Sequence, residues 1–190
     1  MKNNWSLIWN PFSRIAGWQA FLLGLFITIL SGVIAKFGNL LFDGVIDMHF
    51  YDRDITFSHV FYVLAIDLVS LFVIMILGAF ILTRNFRIID IIGTMTLART
   101  PFLFSSIIAL FVNQPNTEEL LKRPMIMFSY PMFLVFGLIT IPVMVWFIAL
   151  MYNAFKVSTG TKGGKLIVIF VSALIIAEII SKVLIMMIWS

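Results

Sequence analysis

Four ionisable residues, Asp67, Arg99, Glu178 and Lys182, stand inside long apolar runs of this 190-residue chain. A lone charge at the centre of a bilayer costs about 3 kcal/mol on insertion scales, so such residues turn inward and find partners. Two chemistries follow. The charges pair and fix how helices assemble, or they line a path for protons, ions or a polar headgroup. Their formal charges cancel, which favours pairing, and no acid is left over to carry protons. Arg99 lies in TLARTPF (96–102), beside Thr100 and the helix-breaking Pro101. Pro101 cannot donate to the Leu97 carbonyl, which a Thr or Ser side chain or a water must then satisfy.

Depth suggests the partners. Arg99 and Glu178 fall near the centres of their apolar runs. Asp67 and Lys182 fall about 7 Å further out, at 1.5 Å per helical residue. Matched depth predicts Arg99 with Glu178 and Asp67 with Lys182. A second arrangement competes with it. Glu178 and Lys182 are at i and i+4 and can pair within one helix, leaving Asp67 to answer Arg99. At 100° per residue, Gly93, Thr96, Arg99, Thr100 and Ser106 share an arc of about 140°, a polar face that turns Arg99 inward. The intramembrane cluster expected from the sequence is therefore Asp67, Arg99, Thr100, Pro101, Glu178 and Lys182.

Other chemistry-bearing residues are weaker. Asp47, His49, Asp52, Asp54 and His59 are ligand types for zinc or a harder ion, but their spacing matches no defined site, so no metal is expected. TGTKGGK (159–165) lacks the first glycine of a phosphate loop and the Ser or Thr that must follow its lysine. It reads as a flexible basic loop, with Lys156, Lys162 and Lys165 near lipid phosphates. No G-x-S-x-G, H-E-x-x-H or supported Ser/His/Asp set occurs, and there is no cysteine. No enzymatic activity and no cofactor are expected.

The elements that hold these residues follow from composition. The chain is 62% hydrophobic and 12% charged, too apolar to coat a water-soluble globule. Net charge is +4 with no basic stripe, which does not suggest nucleic-acid binding. Lys2 and Arg14 precede an apolar run longer than a signal-peptide core, with no small-x-small cleavage site after it, so a retained first span is expected. Five runs reach the roughly 20 residues a span requires: 17–36, 60–83, 88–112, 126–152 and 166–189. The expectation is one domain over 1–190, an all-α integral membrane bundle of five transmembrane helices. Pro131 and Pro142 should kink the fourth span.

Basic residues orient the bundle. Lys2, Arg14, Arg84, Arg87, Lys156, Lys162 and Lys165 fall on one side; Lys36, Arg53, Lys122 and Arg123 fall on the other. The positive-inside rule places the first set, and the N-terminus, in the cytoplasm, with the C-terminus and the acidic 37–59 connection outside. Trp5, Trp9 and Trp18 suit the inner interface; Tyr51, Tyr62, Tyr130 and Trp189 suit the outer one. Residues 1–16 read either as a short interfacial helix interrupted at Pro11 or as an irregular aromatic anchor.

NPFSRIAGW (10–18), RIIDIIGTMTLARTPFL (87–103) and YNAFKVSTGTKGGK (152–165), set in five spans with a tight second-to-third turn, resemble the YIP domain family. These are the Ypt/Rab-interacting membrane proteins, and the likeness is to their short bacterial members. The resemblance implies a fold and a membrane address, the bacterial inner membrane, and not an activity; the function expected is a non-enzymatic scaffold working through lipid, homo-oligomer or membrane-protein contacts. Eukaryotic members meet small GTPases through a long cytosolic N-terminal region. Only about 16 residues precede the first span here, so a GTPase partner is not expected. The alternative is a small transporter, channel or lipid-translocating protein using the polar core.

Overall fold

The computed structural model describes residues 6–189, with Trp189 described by its backbone alone. Lys2, Trp5 and the Trp189 side chain, which bear on orientation, lie outside the described residues. Five helices are long and apolar enough to cross a membrane, and they form an all-α bundle. They are α2 (Gly17–Phe37), α3 (Phe57–Leu82), the broken pair α4 (Ile88–Ala98) and α5 (Pro101–Ala109), α7 (Pro131–Thr159) and α8 (Gly164–Trp189). Short helices α1 (Ser6–Trp9) and α6 (Thr117–Lys122) complete the set.

The ends follow local chemistry. Gly17 opens α2 at φ +58°, a conformation that L side chains resist, and Gly160 closes α7 at φ +64°. The Thr56 hydroxyl accepts the His59 N–H and caps α3. The Asn116 side chain does the same for α6, taking the Glu118 and Glu119 N–H groups. The fourth span differs from its expectation. Residues 124–129 form 3-10 turns, and the helix starts at Pro131, where proline's missing N–H has no partner to lose. Pro131 therefore starts α7 and does not kink it. Pro142 lies within α7, which runs on past it to Thr159.

The bundle is inside-out relative to a soluble protein. Leu22, Phe26, Val69, Leu77, Leu138, Ile141 and Val168 point outward, while Asp67, Thr96, Arg99, Ser106 and Ser181 are buried. Helices apolar all round, with their polar residues inside, match a lipid surround. Small residues bring α2 and α4 together: a Cβ on Gly24 would strike the α4 backbone at Leu97, and one on Gly93 would strike the Gly17 carbonyl.

The connection between α2 and α3 departs most from expectation. It does not stand outside the bundle. Strands β1 (Leu40–Leu41) and β2 (His49–Phe50) pair antiparallel, Leu40 opposite Phe50 and Leu41 opposite His49. The turn between them enters the bundle, with Leu40, Leu41, Phe42 and Val45 buried. Its tip meets Arg99, about 15 Å along the helix axis from the end of α5, at 1.5 Å per residue. Irregular backbone is tolerated at such depth only where protein or water satisfies it.

The N-terminal segment is bound to α7. The Trp146 Nε1–H donates to the Ile8 carbonyl and the Asn153 Nδ2–H to the Trp9 carbonyl, each at 2.9 Å. Pro11 ends α1 and starts a 3-10 turn whose Phe12 is buried.

Candidate functional site

Arg99 falls at the break between α4 and α5, and the break is built from its neighbours. Pro101 starts α5. The Leu97 carbonyl receives the Thr100 hydroxyl at 2.6 Å and the Thr100 N–H at 3.1 Å. The orphaned acceptor is thus satisfied by the adjacent threonine. This leaves the Arg99 side chain free to enter the core, where it is 1% exposed.

Its partner is Asp67 of α3, 0% exposed, with Nη2 to Oδ2 at 3.5 Å. Ser181 of α8 donates to the other Asp67 oxygen. Arg99 Nη1 donates to the Val45 carbonyl at the hairpin tip, at 3.1 Å. The guanidinium lies 5.0 Å from the Phe102 ring centre, and Phe102 stacks on Phe42 at 4.9 Å with an 8° interplanar angle. One guanidinium thereby joins α3, the α4–α5 break and the hairpin.

A second group of charges sits beside the first. Glu178 Oε2 accepts the Ile46 N–H at 2.9 Å. Lys182 lies 3.8 Å from Glu178 and 2.5 Å from Asp47. Gly44 presses against the Glu178 carboxylate so closely that a Cβ would collide with it.

The depth-matched pairing is thus not the one formed. Glu178 does not meet Arg99 because its carboxylate is taken by Ile46 and Lys182. Lys182 does not meet Asp67 because it turns to Asp47 and Glu178. The competing arrangement is present, with a third partner that the sequence reading left outside. That partner is the hairpin, through Val45, Ile46 and Asp47. The signal for it was there: LLFDGVID (40–47) carries more large apolar residues than a solvated connection needs.

The five candidate metal ligands separate. Asp47 and His49 come together with Asp43, their ligand atoms within 4.8 Å of one another. Asp52, Asp54 and His59 line a different depression. The first three side chains already engage protein groups. His49 Nδ1 is 2.8 Å from Asp43 Oδ1, and Tyr51 donates to Asp43 at 3.2 Å. The hydrogen bond with Asp43 raises the His49 pKa against the effect of burial. Burial works against ionising Asp47, but Lys182 and His49 together hold its pKa below the ordinary value. Burial and then Asp43 push the Tyr51 phenol up.

The three lysines expected near lipid phosphates cluster around the α7–α8 connection. Lys165 donates to the Ile81 carbonyl at 3.3 Å, and Lys156 lies 5.9 Å from the Tyr152 ring centre. Lys162 is exposed.

No family model matches this chain, and no curated protein or solved structure matches it.

Proposed function

We propose that the chain is a non-enzymatic membrane scaffold whose buried charges tie α3, the α4–α5 break, α8 and a re-entrant hairpin into one rigid body. The observation that carries this reading is the closure around Arg99. The crevice bounded by Thr28, Ser31, Phe42, Leu64 and Phe102 has no room for a water molecule. A transport path needs water or substrate to reach the charges it uses. Here Arg99 faces Asp67 at 3.5 Å, donates to the Val45 carbonyl and lies over the Phe102 ring. A buried ion pair of this kind fixes register between elements.

The resemblance to YIP proteins supports the bacterial inner membrane as the address, and the closed polar core supports a scaffold acting through protein or lipid contacts. The basic residues support its orientation. Arg14, Arg84, Arg87, Lys156, Lys162 and Lys165 flank one end of the bundle, and the positive-inside rule places that end in the cytoplasm. The hairpin then enters from outside.

Native mass spectrometry from lipid nanodiscs, together with flux assays in liposomes, tests the proposal. A scaffold gives a defined oligomer or a stoichiometric protein partner, and no ion flux above empty vesicles. A monomer whose flux disappears in Arg99→Gln while the fold persists would replace it with a transporter.

A further inference from the structure

Two depressions open beside the hairpin, at the end of the bundle where α3 begins and α8 ends. One encloses about 730 Å³ and is lined by Asp52, Arg53, Asp54 and His59, with Ile55 and Ile188. The other encloses about 380 Å³ and follows α7, lined by Met48, Phe133, Phe136 and Gly137. Phe50 and Thr117 line both. A charged chamber and an apolar groove therefore share a wall.

Their positions match the two parts of a lipid. The charged chamber lies where the exposed apolar surface of α3, with Phe57, Phe61 and Tyr62, gives way to the charged residues 52–54. That is the level of headgroups. From Phe133 to Thr140 the groove runs about 10 Å along α7 away from that level, at 1.5 Å per residue. Gly137 leaves the groove open, with nothing within 4 Å of where a Cβ would stand.

The charges in the chamber are of both signs and are not spent on each other. Asp52 accepts the Thr117 N–H at 3.0 Å, which fixes one edge of its carboxylate. Among the described residues, neither Arg53 nor Asp54 forms a salt bridge. A guanidinium takes a phosphate through paired N–H donors. Two carboxylates beside it suit an ammonium that still carries N–H donors.

We propose that the two depressions form one site for a zwitterionic aminophospholipid. Arg53 faces the phosphate, Asp52 and Asp54 face the primary ammonium, and one acyl chain lies in the groove beside Gly137. The site uses neither Arg99 nor Asp67, so it stands or falls independently of the scaffold reading.

The test is native mass spectrometry of the full chain released from nanodiscs holding equal amounts of phosphatidylethanolamine, phosphatidylcholine and phosphatidylglycerol. One ethanolamine lipid per chain should survive activation that strips the other two. Arg53→Gln and Asp54→Asn should each weaken its retention about tenfold, the scale of one charge-assisted hydrogen bond. Gly137→Leu fills the groove and should abolish retention of every lipid. All three positions are outside the packed core, and an unchanged unfolding temperature confirms that each variant is folded. Equal retention of the three lipids would overturn the proposal. Retention unaffected by these substitutions, or a bound polypeptide in place of a lipid, would do so as well.

Discussion

The Glu178 carboxylate on α8 accepts the backbone N–H of Ile46 at 2.9 Å, across 132 residues of sequence. This contact ties the hairpin tip to the last helix at the depth where Arg99 meets Asp67. It also explains Gly44, which lies against the same carboxylate.

Gly44→Ala should therefore displace the tip or the Glu178 side chain. Overpacking a tight site costs about 1–3 kcal/mol. The expected result is a lower unfolding temperature in detergent and faster amide exchange over residues 42–48. Gly164→Ala, with nothing within 4 Å of where its Cβ would stand, should leave both unchanged.

Arg99→Gln and Asp67→Asn should each be severely destabilising, because each strands a buried charge, at a cost of about 3–5 kcal/mol. The two changes together should cost less than their sum. Arg99→Gln combined with Lys122→Met should show no such coupling, since the exposed Lys122 on α6 shares no partner with Arg99. Thermal unfolding of the double-mutant cycles measures both.

The hairpin should have a pH window. Protonated His49 gains Asp43, so its folded pKa is raised above 6.5. Its contribution is complete below 6.5 and is lost as pH rises through the raised value. Ionised Asp47 gains Lys182, so its folded pKa is lowered below 3.8. Its contribution is complete above 3.8 and is lost as pH falls through the lowered value. Both act fully only between these limits. Amide protection over residues 40–50, with the intrinsic pH dependence of exchange divided out, should be greatest there, and His49→Ala should remove the alkaline loss alone.

Much of this was legible in the sequence, for reasons that particular residues show. Apolar run length located all five spans, because bilayer thickness sets helix length. Arg99 and Pro101 announced an inward break, since neither suits a lipid-facing helix. The hairpin is written only weakly, in the apolar residues of LLFDGVID (40–47). The positive-inside rule gives residues 37–59 a membrane side but not a depth, and of Asp43, Asp47, Asp52 and Asp54 only the last two stay clear of the polar core. Depth matching then assigned the wrong pairs, because it weighed side chains on spans and left out the carbonyl of Val45 and the N–H of Ile46. Backbone groups carry no sequence signal. Pro131 misled for a related reason: it suits the first turn of a helix as well as it disrupts the interior of one.

Cysteine accessibility tests most directly that the hairpin tip lies inside the bundle. The chain has no cysteine, so single replacements report without background. Val45 is fully buried and Asp54 is exposed. In intact membranes, Val45→Cys should resist a membrane-impermeant maleimide until the protein is denatured, while Asp54→Cys reacts at once. Equal, rapid labelling at both positions would put residues 40–50 outside the bundle and contradict the account.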